Sequence, residues 1–127
     1  MKIYLGYDHA GNHFRDLVKG VAEEMHMELE DLGSHGDMND DYPDFAKLVG
    51  DKVKMDPTAR GILVCGIGAG MAIAANKISG IRAAFANNVE LARLIRAHND
   101  ANVLTLGSRI MDEETTKAVI KTFLTTD

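Results

Sequence analysis

The stretch ILVCGIGAGMAIAANK, Ile62 to Lys77, changes character at its middle. An apolar run leads into Cys65, the single cysteine of the chain. Gly66, Gly68 and Gly70 follow at alternate positions, and then a run of small and apolar residues. With the residues before it, ARGILVCG reads as the most apolar strand of a sheet and a central one, because a strand covered on both faces loses its polar alternation. Ala69 to Ile78 suits a helix of small residues packed close to that sheet. A strand that meets a helix through a glycine turn is the repeating unit of a parallel α/β sheet.

The same alternation continues on both sides. KIYLGYD reads as a first buried strand ending at Asp8, and from Gly11 the apolar residues Phe14, Leu17, Val18, Val21, Ala22 and Met25 fall on one helical face. MELEDLGS alternates as a second strand, and SHGDMNDDYPD is polar and loop-like. Pro43 can open the next helix, where its missing N–H costs nothing, and Phe45, Leu48, Val49 and Val53 give that helix a face. IRAAFANN is a fourth strand, VELARLIRAHN a helix, ANVLTLGS a fifth strand, and DEETTKAVIKTFL a last helix with an acidic start that complements its dipole. Five strands alternating with five helices predict one open, five-stranded parallel sheet with helices on both faces, a three-layer αβα arrangement. The expected strand order is 2-1-3-4-5, within a single domain over residues 1–127.

Composition limits what such a domain can do. Of 127 residues, 46% are hydrophobic and only 6% aromatic, so the core must be aliphatic. A net charge of −5, with acids and bases mixed along the chain, argues against a nucleic-acid partner, which needs a basic stripe. No apolar run is long enough to cross a bilayer, so no membrane partner is expected. The start MKIYLGYD turns acidic too early for a signal peptide, and a lone cysteine fits a reducing cytoplasm.

In the expected order, the first and third strands are neighbours whose crossovers leave on opposite faces, and ligands bind outside the carboxyl ends at such a switch point. That rule brings Asp8 and His9 of GYDHAG together with Cys65 and the glycine turn. Glycine-rich backbone at a helix N-terminus offers N–H groups to a phosphate, a carboxylate or an oxyanion. The spacing G-x-G-x-G, in the third turn rather than the first, is neither a dinucleotide fingerprint nor a P-loop. Cys65 can be a small core residue, or a thiolate favoured by the helix N-terminus and acting as nucleophile or proton-transfer base. With a histidine in GYDHAG, a cysteine hydrolase remains open on residue types. RAHNDANV, Arg96 to Val103, gathers polar residues at one end of the sheet, and Arg109 is expected as another cation at that end. The histidines His9, His13, His26, His35 and His98 show no paired ligand spacing, so no metal is expected; His13 and His26 read as helix-surface residues.

GYDHAG, DYPD, GILVCGIGAGMAIAANKISGIRAA and AHNDANVLTLGSR, in this order and spacing, resemble the type B ribose-5-phosphate isomerases and their galactose-6-phosphate and allose-6-phosphate isomerase relatives. The resemblance implies a Rossmann-like sheet and a homodimer, or a dimer of dimers, with active sites shared between subunits. It implies aldose–ketose isomerisation of a sugar phosphate, ribose-5-phosphate to ribulose-5-phosphate first of all, through a cis-enediolate and without cofactor or metal. Cys65 falls on the family's proton-transferring cysteine, and Gly66, Ile67, Gly68, Ala69 and Gly70 on the loop that holds the enediolate oxygen. His98 falls on the ring-opening histidine and Asn99 on a binder of sugar hydroxyls. Asp8, His9 and Tyr42 fall on substrate contacts, and Arg109 on an arginine of the phosphate pocket.

Two positions depart from that pattern. Family members usually carry Thr or Ser where this chain has Ile67, and they usually continue into an arginine-bearing tail beyond the last helix. Arg82, Arg93, Arg96 and Lys77 are the cations that could substitute for that tail. Two further readings follow: an isomerase of an unphosphorylated sugar or a hexose phosphate, and a non-catalytic sugar-phosphate-binding subunit of a hetero-oligomer.

Overall fold

A computed structural model describes residues 1–33 and 42–127; the loop expected over SHGDMNDDYPD, with His35, falls largely outside them. The elements are β1 (Lys2–Tyr7), a 3-10 segment (His9–Phe14), α1 (Arg15–Glu24), β2 (Glu28–Asp31), α2 (Tyr42–Lys54), β3 (Arg60–Cys65), α3 (Ala69–Ala75), β4 (Ala83–Phe85), α4 (Val89–Ala97), β5 (Val103–Gly107) and α5 (Glu113–Thr125). Strand for strand and helix for helix, this is the expected alternation. The first helix starts late because the Asp8 carboxylate accepts from the N–H groups of Ala10 and Gly11, which winds a tight turn before the α-helix begins. His26 sits in the turn after α1 with φ of 57°, not on the helix surface.

All strand pairs are parallel, and the order is β2-β1-β3-β5-β4. The expected order 2-1-3-4-5 is therefore corrected at its last two positions. The reason is burial. Every residue of β5, VLTLG, is buried, whereas β4 is three residues long, AAF, and only partly buried. A strand covered on both faces belongs inside the sheet, and the short one takes the edge.

The exchange moves a helix. Going from β3 to β4 the chain travels outward past one strand position, and from β4 to β5 it comes back. Right-handed crossovers then put α3 and α4 on opposite faces. Accordingly α2 and α3 pack together on one face, while α1, α4 and α5 share the other. Each face has its own apolar layer. In β3, Ile62 and Val64 join the layer under α1, α4 and α5, while Leu63 and Cys65 join the layer under α2 and α3. Each fully buried aliphatic side chain is worth roughly 1.5–3 kcal/mol of transfer free energy. Asn88 and Asp112 cap α4 and α5 by accepting from Leu91 N–H at 2.8 Å and Thr115 N–H at 2.7 Å.

Candidate active site

The carboxyl end of β3 stands between the carboxyl ends of β1 and β5, and the helices that follow these neighbours both lie on the face opposite α3. The turn after Cys65 therefore opens into a cleft rather than under a helix. A cavity of about 400 Å3 occupies that cleft, lined by Asp8, His9, Tyr42, Cys65, Ile67 and Arg109, with Gly66 and Gly70 in its floor.

The backbone of this floor depends on glycine at two points. Gly68 has φ of 86°, and a Cβ there would lie 2.7 Å from the Phe85 ring. Gly107, level with Cys65 in the β3–β5 ladder, lets the turn pass close by, since a Cβ on it would stand 2.7 Å from the Ile67 carbonyl carbon. The result is that Gly68 N–H points at the Cys65 sulfur, 3.2 Å away. Cys65 is 5% exposed, while Ile67 beside it is 56% exposed. The first N–H groups of α3 have no intrahelical carbonyl to meet.

Three loops are tied together at this end. Asp8 N–H donates to Val64 O at 3.3 Å, Ser108 N–H to Cys65 O at 2.9 Å, and Arg109 N–H to Gly66 O at 2.9 Å. The Ser108 hydroxyl donates to Ala10 O at 2.6 Å, joining the loops after β1 and β5. Ser108 went unnoticed in the sequence; its signal was a small hydroxyl residue directly after the glycine that ends an apolar strand. The Arg109 side chain lies over Gly66, where a Cβ would be 3.3 Å from its Cδ, and the Tyr42 ring covers Gly70. Of the residues singled out in sequence, Asp8, His9, Tyr42, Cys65, Gly66, Ile67, Gly70 and Arg109 line this one cavity, and Gly68 and Ala69 belong to its loop.

His98 and Asn99 are elsewhere. They follow α4, which returns the chain to the amino end of the sheet, and Asn102 O accepts from Gly61 N–H at the start of the ladder. The length of β5, about 13 Å at 3.3 Å per residue, separates that end from Cys65 within one chain. Arg109 does not share an end with His98 as expected; the two flank β5 on opposite sides. Nor do the four candidate cations reach this cavity. Arg96 is buried, donating to Ala101 O and Thr126 O, Arg93 pairs with Glu90, Arg82 with Asp100, and Lys77 lines a groove between α2 and α3. Among the described residues, no group of three or more His, Cys, Asp or Glu is placed to hold a metal ion, and no helix is long and apolar enough to cross a membrane.

Comparison with known proteins identifies the family. The ribose/galactose isomerase family model matches residues 3–127. Ribose-5-phosphate isomerase B of Clostridium thermocellum has the same fold, with a TM-score of 0.94 at 41% identity, covering 100% of this chain and 86% of that one. The Mycoplasma genitalium enzyme, solved with bound ribulose-5-phosphate, gives a TM-score of 0.94 at 38% identity over 99% of this chain and 84% of its own. Ribose-5-phosphate isomerase B of Mycolicibacterium paratuberculosis is 37% identical over 127 residues, 99% of this chain and 80% of the relative. With fold and sequence in agreement along nearly the whole chain, this protein belongs to the ribose/galactose isomerase family, a family of aldose–ketose isomerases.

Proposed function

We propose that this chain interconverts ribose-5-phosphate and ribulose-5-phosphate through a cis-enediolate, with Cys65 as the base. The observation that carries the reading is the cavity in which a thiol, a donor N–H at 3.2 Å from it and a glycine-rich turn converge. In the aldose-to-ketose direction, the Cys65 thiolate takes the C2 proton of the opened sugar and returns it to C1, while the hydroxyl proton passes from O2 to O1. The intermediate places negative charge on oxygen, and in this reading the N–H groups of the Gly66–Gly70 turn receive it, the kind of preorganised stabilisation that contributes most to such reactions. Arg109 supplies a cation for the phosphate with His9 as a further contact, and Tyr42 closes the cavity over Gly70. Asp8 uses one carboxylate oxygen on its own turn, leaving the other for a sugar hydroxyl.

Ring opening needs a further proton shuttle, the role we assign to His98, with Asn99 holding hydroxyls. Because both residues lie at the far end of their own sheet, they would act in the cavity of a second subunit, which makes the functional unit a homodimer with shared sites. Mixing separately inactive Cys65→Ala and His98→Asn chains tests this. Exchange of subunits should restore about a quarter of the wild-type rate, because half the dimers are mixed and each holds one intact site. No recovery on mixing would remove His98 from the partner's cavity.

The exposed Ile67 side chain at the mouth favours one alternative, a sugar phosphate whose contact at that point is carbon rather than hydroxyl. A panel of ribose-5-phosphate, allose-6-phosphate and free sugars, compared by kcat/KM, separates the readings. Turnover of any of them by the isolated chain rules out a purely non-catalytic subunit.

A further inference from the structure

The amino end of the sheet holds a second cavity, about 300 Å3 and polar, with Lys54, Asp56, Arg60, Arg82, Asp100 and Asn102 in its wall. Arg60, the first residue of β3, is the unusual member. Its Nη1 donates to Ala59 O at 3.0 Å, and its Nε is buried with no partner among the described residues. A guanidinium has five N–H groups, so most of its donor capacity is unspent. Burial first, and then the nearby Arg96, pull its pKa below the usual arginine range, with Asp100 opposing and Arg82 adding to the repulsion.

The carboxylates of the wall are already engaged. Asp100 accepts from Arg96 Nη1 at 2.9 Å and from Arg82 Nη2 at 3.4 Å, and Asp56 Oδ1 takes both the N–H and the hydroxyl of Thr58. Lys54 has Asp51 at 3.5 Å. Arg60 is left with no carboxylate of its own among the described residues, in a place where water is partly excluded and other cations are close. A compact dianion would relieve that repulsion and meet the unspent donors.

We propose that this cavity binds a phosphoryl group, free or on a small monoester, between Arg60, Arg82 and Lys54. Two guanidinium forks match pairs of phosphate oxygens, and the lysine adds a point charge. The volume is at the low end of small-molecule sites, which suits inorganic phosphate or a short phosphomonoester and excludes a nucleotide. Arg82 holds Asp100 O through Nε at 2.7 Å, while its Nη1 contact to Gly80 O and its Nη2 contact to the Asp100 carboxylate are both long, 3.4 Å, and are the ones an incoming anion would replace. Asp100 has φ of 49° and closes the turn that carries His98 and Asn99, so occupancy should be felt there.

The test is a titration of the full chain with inorganic phosphate and, separately, glycerol 3-phosphate, followed by amide chemical shifts. Saturable shifts are expected at Gly61, Gly80, Ile81, Arg82 and His98–Asn102, apart from any at Gly66–Gly70, where a phosphate at Cys65 would register. Arg60→Met should weaken this second set by about tenfold or more. Arg82→Gln, at an exposed position outside the core, should weaken it several-fold, with the thermal midpoint reporting the loss of its bond to Asp100 O separately. Shifts confined to Gly66–Gly70, or a second set that survives both substitutions unchanged, would overturn the proposal. A response to inorganic phosphate alone assigns the site to the free ion, and tighter binding of the monoester assigns it to a phosphorylated metabolite.

Discussion

The two ends of one sheet are built from different materials. At the carboxyl end, glycines and main-chain bonds hold Cys65, His9 and Arg109 around a cleft, and the polar groups left over face that cleft. At the amino end, side chains do the holding: Asn102 Oδ1 accepts from Arg82 N–H at 2.8 Å, Asn102 Nδ2 donates to Gly80 O at 3.0 Å, and Arg96 spans α4 to the end of α5. The contrast separates a scaffold that spends its backbone so that side chains stay free for chemistry from one that spends its side chains on structure. In the second, the residues still free among those described, His98, Asn99 and part of Arg60, are the ones that call for a functional account.

The contrast can be broken most severely at Cys65. Cys65→Ala should lower isomerisation, and deuterium exchange into the sugar from solvent, by about a thousandfold or more, the scale of lost general base catalysis. The thermal midpoint should stay close to wild type. Exchange at the normal rate would mean that another group moves the proton.

Gly107→Ala comes next. The added methyl meets the Ile67 backbone, so the turn must shift; about 1–3 kcal/mol of stability should be lost, and kcat/KM should fall about tenfold to a hundredfold as the donors move. Urea unfolding and steady-state kinetics read the two effects. At the opposite end, Asn102→Ala should cost about 1–3 kcal/mol, since it removes the acceptor of the Arg82 N–H and leaves the Gly80 carbonyl only a long contact from Arg82 Nη1 at 3.4 Å. The rate at which a small alkylating reagent labels Cys65 should be unchanged by Asn102→Ala and altered by Gly107→Ala. If both substitutions changed labelling equally, the two ends would not be independent.

The smallest effect is in acid. Hydrogen bonding from Arg96 holds the Asp100 carboxyl below the ordinary carboxylate range, and hydrogen bonds from Thr58 and Thr115 do the same for Asp56 and Asp112. Folding thus favours the charged forms. Their contribution is present above the ordinary value of about 4 and fades as pH falls through the lower folded values. The thermal midpoint should therefore drop on going below about pH 4. Asp100→Asn should flatten that slope a little, and a slope identical to wild type would show that Asp100 contributes nothing there.

Much of this architecture was legible because periodicity reports burial directly. ILVC followed by glycines could only be a strand meeting a turn, and Asp8 and Cys65 converge because the first and third strands are neighbours whichever way the far edge is arranged. The order of β4 and β5 was not legible from alternation alone. VLTLG and AAF differ in length and bulk, and that difference becomes decisive only when one of them must lie between two others. The error about His98 had a related cause. A polar cluster beside a strand can sit at either end of it, and direction matters: residues before β5 lie at the amino end of a parallel sheet, and Arg109, after it, at the carboxyl end.

The sequence by itself determined the elements, their parallel pairing, the aliphatic core, and the pairing of a thiol with a glycine turn, since these follow from local spacing and from the handedness of the chain. Only the tertiary structure decided which strand took the edge, which face received α4, that Gly107 admits the Ile67 backbone, and that Arg60 Nε was left without a partner among the described residues. Those outcomes depend on contacts between residues far apart in the chain, where burial and steric exclusion choose among arrangements that local preference leaves equal.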